Sequence, residues 1–211
     1  SQLPQAMISV WEEMDETALS DILDWADILV IGPGVGTGDV IADNIEKTLR
    51  LAKCPVVLDA DGLNLLAKHE AWYPMLAGHA IVTPHMGEMS RLTGKSIAVL
   101  KADRAEAAKE FAKKRRMVCV LKDSSTVVSD GVAVYFNCSG NHGMATGGSG
   151  DILSGVIGAL LGAGMDLFKA AYMGVYLHGC AGDAAAERFG ARGMTGVEII
   201  EGLLEVLKNL N

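Results

Sequence analysis

Asn141-His142-Gly143-Met144-Ala145-Thr146-Gly147-Gly148-Ser149-Gly150-Asp151 stands where the chain changes character. Upstream, short apolar runs alternate with helical patterns. Downstream, between Gly150 and about Leu207, no strand is legible. Three helical stretches follow instead, at about 150–161, 166–188 and 196–208. Thr195 with Glu198 has the spacing of a capping box for the last of them.

The upstream half predicts strands over 27–31 (DILVI), 55–59, 80–83 and 117–122. Helices are expected over 39–52, 62–68 and 87–92, the last capped by Gly94. Another starts at Asp103, with Glu106 completing a capping-box spacing. Residues 126–129 and 132–135 flank Asp130-Gly131, a hairpin signal. Strands alternating with helices predict an α/β fold with a mainly parallel sheet covered on both faces. The hairpin is its antiparallel addition, near the C-terminal third. No linker and no repeat interrupts the pattern, so residues 1–211 read as a single domain.

Composition agrees with a packed globular chain. Half of the 211 residues are hydrophobic and 21% are charged. Glycine is the exception. There are 25, where average usage predicts roughly 15. Nine lie between Gly140 and Gly164, without a collagen period. Such crowding suggests backbone brought close to a ligand.

The formal charge of -8 and the pI of about 5.1 argue against nucleic acid and anionic membranes as partners. Lys113-Lys114-Arg115-Arg116 reads as the solvated end of a helix that complements its dipole. Cys54, Cys119, Cys138 and Cys180 form no CxxC pair and no zinc spacing. Four unpaired thiols fit a reducing compartment. No basic segment opens Ser1–Trp11, so no secretory signal is read there and a cytoplasmic location is expected. The longest uncharged apolar run, 152–165, is too short to span a bilayer.

Ligands of open parallel sheets bind beyond the carboxyl ends of the strands. Those ends lead into Gly32–Gly38, Asp59-Ala60-Asp61-Gly62, Thr83–Glu88 and Lys122–Thr126. The first loop fails the dinucleotide fingerprint, because Gly34-Val35-Gly36-Thr37-Gly38 has the wrong spacing. No Walker A sequence occurs. A tight turn and close approach to a ligand both explain this loop.

The glycine stretch quoted first is more specific. Small residues leave the backbone N–H groups of Gly147, Gly148, Ser149 and Gly150 accessible at a helix N-terminus, which suits an anion such as phosphate. Asp151 follows in the first turn. It can be an ordinary N-terminal acid. An acid among phosphate-binding amides is nevertheless repulsive unless it has a task, and a general base has one. Asp59 and Asp61 read equally well as a helix-start pair. His85 reads as a cap or a ligand contact, His178 as a satisfied packing histidine, and Met144 as packing under the glycine turn.

Gly143-Met-Ala-Thr-Gly-Gly-Ser-Gly-Asp-Ile-Leu-Ser-Gly155 resembles the signature of the nucleotide-dependent NAD(P)H-hydrate dehydratases, within the ribokinase-like superfamily. Four further segments agree in order: Ile31–Gly36, Leu58–Asn64, Thr83–Glu88 and Tyr176–Asp183. The resemblance covers nearly the whole chain. It implies a ribokinase-like three-layer α/β/α fold. It also implies a lyase that repairs hydrated NADH and NADPH (NADHX and NADPHX). ADP or ATP phosphorylates the ring hydroxyl, and phosphate then leaves.

By motif position, the resemblance makes Asp151 the base and Gly147–Gly150 the anion hole. Lys122, Asp123, Ser124, Ser125, Thr126 and Gly150 would hold the nucleotide. Gly34, Gly36, His85 and Asp151 would hold the hydrate. Glu88 and Asn64 are candidates for Mg2+ through water. The resemblance and the apolar terminal helices imply a homo-oligomer, a tetramer being one size it allows.

Two departures stand out. Members of the family it resembles usually carry Lys-Gly where this chain has Lys122-Asp123. They also normally carry a longer N-terminal part, with a strand, a glycine-rich turn and a contact to the hydrate, and an epimerase is their usual fusion partner. Two rival functions remain at this point: a small-molecule kinase of the same superfamily, and a non-catalytic nucleotide-binding scaffold or truncated inactive form.

Overall fold

A computed structural model describes residues 6–7 and 15–209. The N-terminal segment read for a signal lies mostly outside them. The elements in order are α1 (Glu16–Trp25), β1 (Leu29–Ile31), α2 (Asp39–Leu51), β2 (Val56–Leu58), α3 (Ala60–Leu66), α4 (Tyr73–Leu76) and β3 (Ala80–Val82). Then come α5 (Met86–Thr93), α6 (Ile97–Ala102), α7 (Arg104–Arg115), β4 (Val118–Leu121), β5 (Val127–Ser129) and β6 (Val134–Phe136). The helices α8 (Ser149–Gly162), α9 (Leu167–Phe189) and α10 (Gly196–Lys208) follow.

The six strands form one sheet in chain order. β1 to β4 are parallel, and the β5–β6 hairpin is appended antiparallel at β4. A parallel neighbour in simple sequence needs a crossover, and crossovers of one hand put their helices on one face. Helices α2 to α7 accordingly pack on one face, against Ile31, Val56, Leu58, Val82 and Leu121. The alternate side chains Val57, Ile81, Val118 and Val120 meet α8 and α9 on the other face. Strands buried on both sides must be continuously apolar, and Val56, Val57 and Leu58 are fully buried. Helix α10 lies on α9 and forms a smaller cluster around Ala181, Met194 and Ile199.

Sequence missed α1, α4 and α6. Asp15 caps α1 by accepting from the Ala18 N–H, and Ser96 caps α6 by accepting from Val99. The box at Thr195 and Glu198 is complete. The one expected at Asp103 is half formed: its carboxylate accepts from the Glu106 N–H, and Glu106 does not reach back.

Small residues let the C-terminal helices approach closely. A Cβ on Gly158 would lie 2.9 Å from Val30, one on Gly174 2.6 Å from Ile157, and one on Gly202 2.1 Å from the Ala181 carbonyl. A Cβ on Gly155, by contrast, would enter open space. Gly164 serves conformation instead, at φ +87°.

Candidate active site

The four loops at the carboxyl ends of β1 to β4 lie side by side, as a parallel sheet requires. The Thr83 N–H and hydroxyl both donate to the Leu58 carbonyl. His85 and Lys122 form a parallel bridge, and the Lys122 N–H donates to the Pro84 carbonyl at 2.8 Å. The loop after β1 is tied to the loop after β2 by the Gly36 N–H, which donates to Asp61 Oδ2 at 3.0 Å.

Glycine has a conformational reason in that first loop. Gly32, Gly34 and Gly36 have φ of +127°, +69° and +81°. At Gly32 a Cβ would sit 1.8 Å from the Asp59 carbonyl oxygen, so bare backbone is required. At Gly34 and Gly36 a Cβ would meet nothing within 4 Å. That surface is open to an incoming molecule.

Asp59 is the centre that sequence reasoning left as a helix-start acid. It does cap α3, accepting from the Ala60 N–H at 2.8 Å. Its carboxylate is also buried, with Lys122 Nζ 2.8 Å from Oδ1 and the Ser154 hydroxyl donating to Oδ2 at 2.8 Å. These partners come from β4 and α8, 63 and 95 residues away. Ala60 next to it has φ +48°, strained for a residue with a side chain.

Helix α8 begins above this pair. Its N-cap, Gly148, is left-handed at φ +83° and supplies no side-chain cap. The Ser149 N–H turns back to the Thr146 carbonyl at a long 3.4 Å. A Cβ on Gly150 would lie 3.3 Å from Lys122 Nζ and 3.7 Å from Asp59 Oδ2. The amides at 147, 148 and 150 therefore start an uncapped helix beside a lysine ammonium. Uncapped N–H groups, the helix dipole and that ammonium all favour an anion there. The Asp151 carboxylate follows in the same turn and is exposed.

The turn is held from behind by α9. Asp183 accepts from the Gly140 N–H at 2.8 Å and from Asn141 Nδ2 at 3.0 Å. Met144 packs on the bare backbone of Gly182, where a Cβ would come within 2.2 Å of its sulfur. The Ser149 hydroxyl lies 3.3 Å from His178 Nε2, and both residues are buried. Burial lowers the His178 pKa to about 4; a hydrogen bond with the Ser149 backbone opposes the shift, and the nearby Lys122 charge adds to it. His178 is thus the satisfied packing histidine its sequence context suggested.

His85 is a helix cap. Its Nδ1 accepts from the Gly87 and Glu88 N–H groups at 2.9 and 3.3 Å, and Glu88 Oε2 accepts from the His85 N–H at 2.8 Å. The imidazole edge is still more than half exposed beside Lys122. Glu88 Oε1 faces His85 Nε2 at 3.5 Å, and Asn64 Nδ2 donates to Asp61 at 3.3 Å. Glu88 and Asn64 are therefore engaged in local structure. Among the described residues no group of three or more His, Cys, Asp or Glu converges as a metal cage.

In the loop after β4, the Ser125 hydroxyl donates to the Asn137 carbonyl at 2.9 Å and Asn137 donates to the Thr126 carbonyl at 2.9 Å. Asp123 pairs with Arg104 of α7. Nothing in the sequence pattern pointed to Arg104. A groove of about 900 Å³ opens elsewhere, among Pro55, Met117, Gly131 and Phe168 at the amino ends of β2 and β4. It contains none of the residues above, and the convergence of amides and charges marks the carboxyl end instead.

The family described as NAD(P)H-hydrate dehydratase matches residues 1–204. The bifunctional NAD(P)H-hydrate repair enzyme of Thermofilum pendens is 41% identical over 95% of this chain and 41% of its own length. An ADP-dependent (S)-NAD(P)H-hydrate dehydratase of Neisseria meningitidis is 40% identical over 93% of this chain and 69% of its own. Thus the chain spans about two fifths of the bifunctional relative.

Among solved structures, the ADP/ATP-dependent NAD(P)H-hydrate dehydratase of Bacillus subtilis, co-crystallised with ATP/Mg2+ and soaked with CoA, superposes with a TM-score of 0.80. It is 30% identical, covering 100% of this chain and 76% of that one. A ribokinase-like superfamily protein of Enterococcus faecalis gives a TM-score of 0.83 at 26% identity, covering 99% and 71%. With its six-stranded sheet, its C-terminal helical layer and its glycine turn, the chain belongs to the NAD(P)H-hydrate dehydratase family and has the ribokinase-like fold.

Proposed function

We propose that this chain carries out nucleotide-dependent dehydration of hydrated NADH and NADPH. One observation carries the reading. An uncapped helix N-terminus, the Lys122 ammonium and an exposed carboxylate meet at the carboxyl end of the sheet. Anion-binding amides beside a free carboxylate suit transfer of a phosphoryl group to a hydroxyl.

Asp151 takes the proton from the ring hydroxyl. The oxygen attacks the terminal phosphorus of the nucleotide, and AMP leaves from ADP, or ADP from ATP. The amides of Gly147, Gly148, Ser149 and Gly150 stabilise charge on the transferring group. Phosphate then departs with the electron pair of the C–O bond, a proton leaves the neighbouring carbon, and the ring double bond returns. Hydroxide is a poor leaving group and phosphate a good one, which is why a nucleotide is used.

Lys122 and the loop to Thr126 hold the nucleotide phosphates in this reading. Gly34, Gly36 and His85 receive the hydrate. Mg2+ would arrive with the nucleotide, because the described residues offer no cage of their own and Mg2+ in nucleotide sites rests largely on phosphates and water.

The four cysteines are free, which supports a reducing, cytoplasmic setting. No described helix is long and apolar enough to cross a membrane. A homo-oligomer is supported by α10, whose Val197, Ile200, Leu204 and Leu207 form an exposed apolar stripe.

The test is to incubate the protein with hydrated NADH and ADP or ATP and follow recovery of the reduced-nicotinamide absorbance. Recovery that needs both nucleotide and Asp151 is expected. Stable phosphorylation of another alcohol without recovery would make the chain a kinase. Nucleotide binding with no turnover at all would make it a scaffold.

A further inference from the structure

Arg104 is the first residue of α7, where a cation opposes the helix dipole. Its side chain reaches the loop that follows β4. Nη1 lies 3.2 Å from Asp123 Oδ2 and 3.2 Å from the Ser125 carbonyl oxygen. The two side chains are only 27% and 25% exposed, so solvent screens the pair incompletely.

Asp123 directly follows Lys122, in the loop that would face nucleotide phosphates. A lone carboxylate there repels them. The ammonium of Lys122 is shared with Asp59, so it offsets that repulsion only in part. Arg104 supplies the missing positive charge from a different element. By gripping the Ser125 carbonyl as well, it fixes the loop on the α7 side, while Asn137 fixes it on the hairpin side.

We infer that Arg104 is a positioning residue of the nucleotide loop: it neutralises Asp123 and orients residues 123–125 so that a nucleoside polyphosphate can bind beside Lys122. The inference rests on the nucleotide-site reading given above, and it concerns nucleotide affinity rather than the chemical step.

The test is ADP titration calorimetry on the wild-type chain, Arg104→Gln, Asp123→Gly and the double variant. Glutamine keeps much of the arginine stem, so the fold is retained, and circular dichroism checks this. Arg104→Gln should weaken ADP binding roughly five- to tenfold, by exposing the phosphates to Asp123. The loss should shrink as salt is raised. Removing the carboxylate as well should restore most of the affinity, whereas Asp123→Gly alone, with Arg104 unopposed, should bind ADP more tightly than wild type. In turnover, the Arg104→Gln defect should fall on the nucleotide KM with kcat little changed.

Wild-type affinity in Arg104→Gln would overturn the inference, and so would a loss that the double variant does not recover. No ADP or ATP binding by the wild-type chain would instead overturn the nucleotide site itself, and the inference with it.

Discussion

Lys122 Nζ lies 2.8 Å from Asp59 Oδ1, and this ion pair joins the ends of β2 and β4 directly beneath the start of α8. The partners are unequally placed. The Asp59 side chain is 2% exposed and that of Lys122 22% exposed. Breaking the pair from either side should therefore give different costs. Lys122→Met strands a carboxylate that water cannot reach, and should destabilise by roughly 3–5 kcal/mol. Asp59→Asn leaves an ammonium that can still find solvent, keeps the Oδ1 acceptor for Ala60, and turns an amide N–H donor toward the Ser154 hydroxyl, which can rotate to accept. It should cost about 1–2 kcal/mol. Urea denaturation of both variants checks the ranking, and the reverse order would show that the burial argument is wrong.

How this pair escaped the sequence shows what patterns carry. The strands were legible because burial on both faces demands unbroken apolar runs such as Val56-Val57-Leu58. The hairpin was legible because Asp130-Gly131 is local turn chemistry. The glycine turn before α8 was legible because so many bare backbones in one place have few explanations. Asp59 looked like a cap, and it is one. Its second role depends on partners brought up by the fold from 63 and 95 residues away, and no local periodicity records them. Arg104 was silent for the same reason. Helix α6 was lost because its six residues are too few to show a period.

Two glycines in the site region should respond to alanine with opposite signs. Gly32 has φ +127°, and its Cβ would fall 1.8 Å from the Asp59 carbonyl oxygen. Backbone cannot yield there without moving Asp59 and its partners. Gly32→Ala should cost more than about 4 kcal/mol and leave little folded protein. Gly155 lies inside α8, with open space where a Cβ would go. Gly155→Ala should stabilise by about 0.5–1 kcal/mol, because glycine is a poor helix residue. Thermal unfolding should show a rise of about 2 °C.

His178 makes stability depend on pH in a defined window. Its folded pKa is lowered to about 4, chiefly by burial, from an ordinary value of 6.5. Between these values the unfolded chain takes up a proton that the folded chain refuses. Its contribution is therefore fully present above about pH 6.5 and is lost as pH falls toward 4. The loss should approach roughly 2–3 kcal/mol. In His178→Gln, the urea midpoint should vary less with pH over the same interval. An unchanged profile would mean that other groups govern the acid side.

Asp151 should separate binding from chemistry. Its carboxylate sits in the first turn of α8, exposed, among the amides that would receive phosphate. For stability it is a modest asset, since an acid at a helix N-terminus contributes about 0.3–1 kcal/mol through the dipole. For nucleotide binding it is a liability, because it opposes an anion at those same amides. In the proposed reaction it is the base that takes the proton from the ring hydroxyl. Asp151→Asn should thus lose a little stability and bind ADP as tightly as the wild type or tighter. It should turn over hydrated NADH about 10²–10⁴ times more slowly. Calorimetry with ADP and the nicotinamide absorbance assay, run on one preparation, read the two effects together. Weakened ADP binding with unchanged kcat would assign Asp151 to holding the ligand and would remove it as the base.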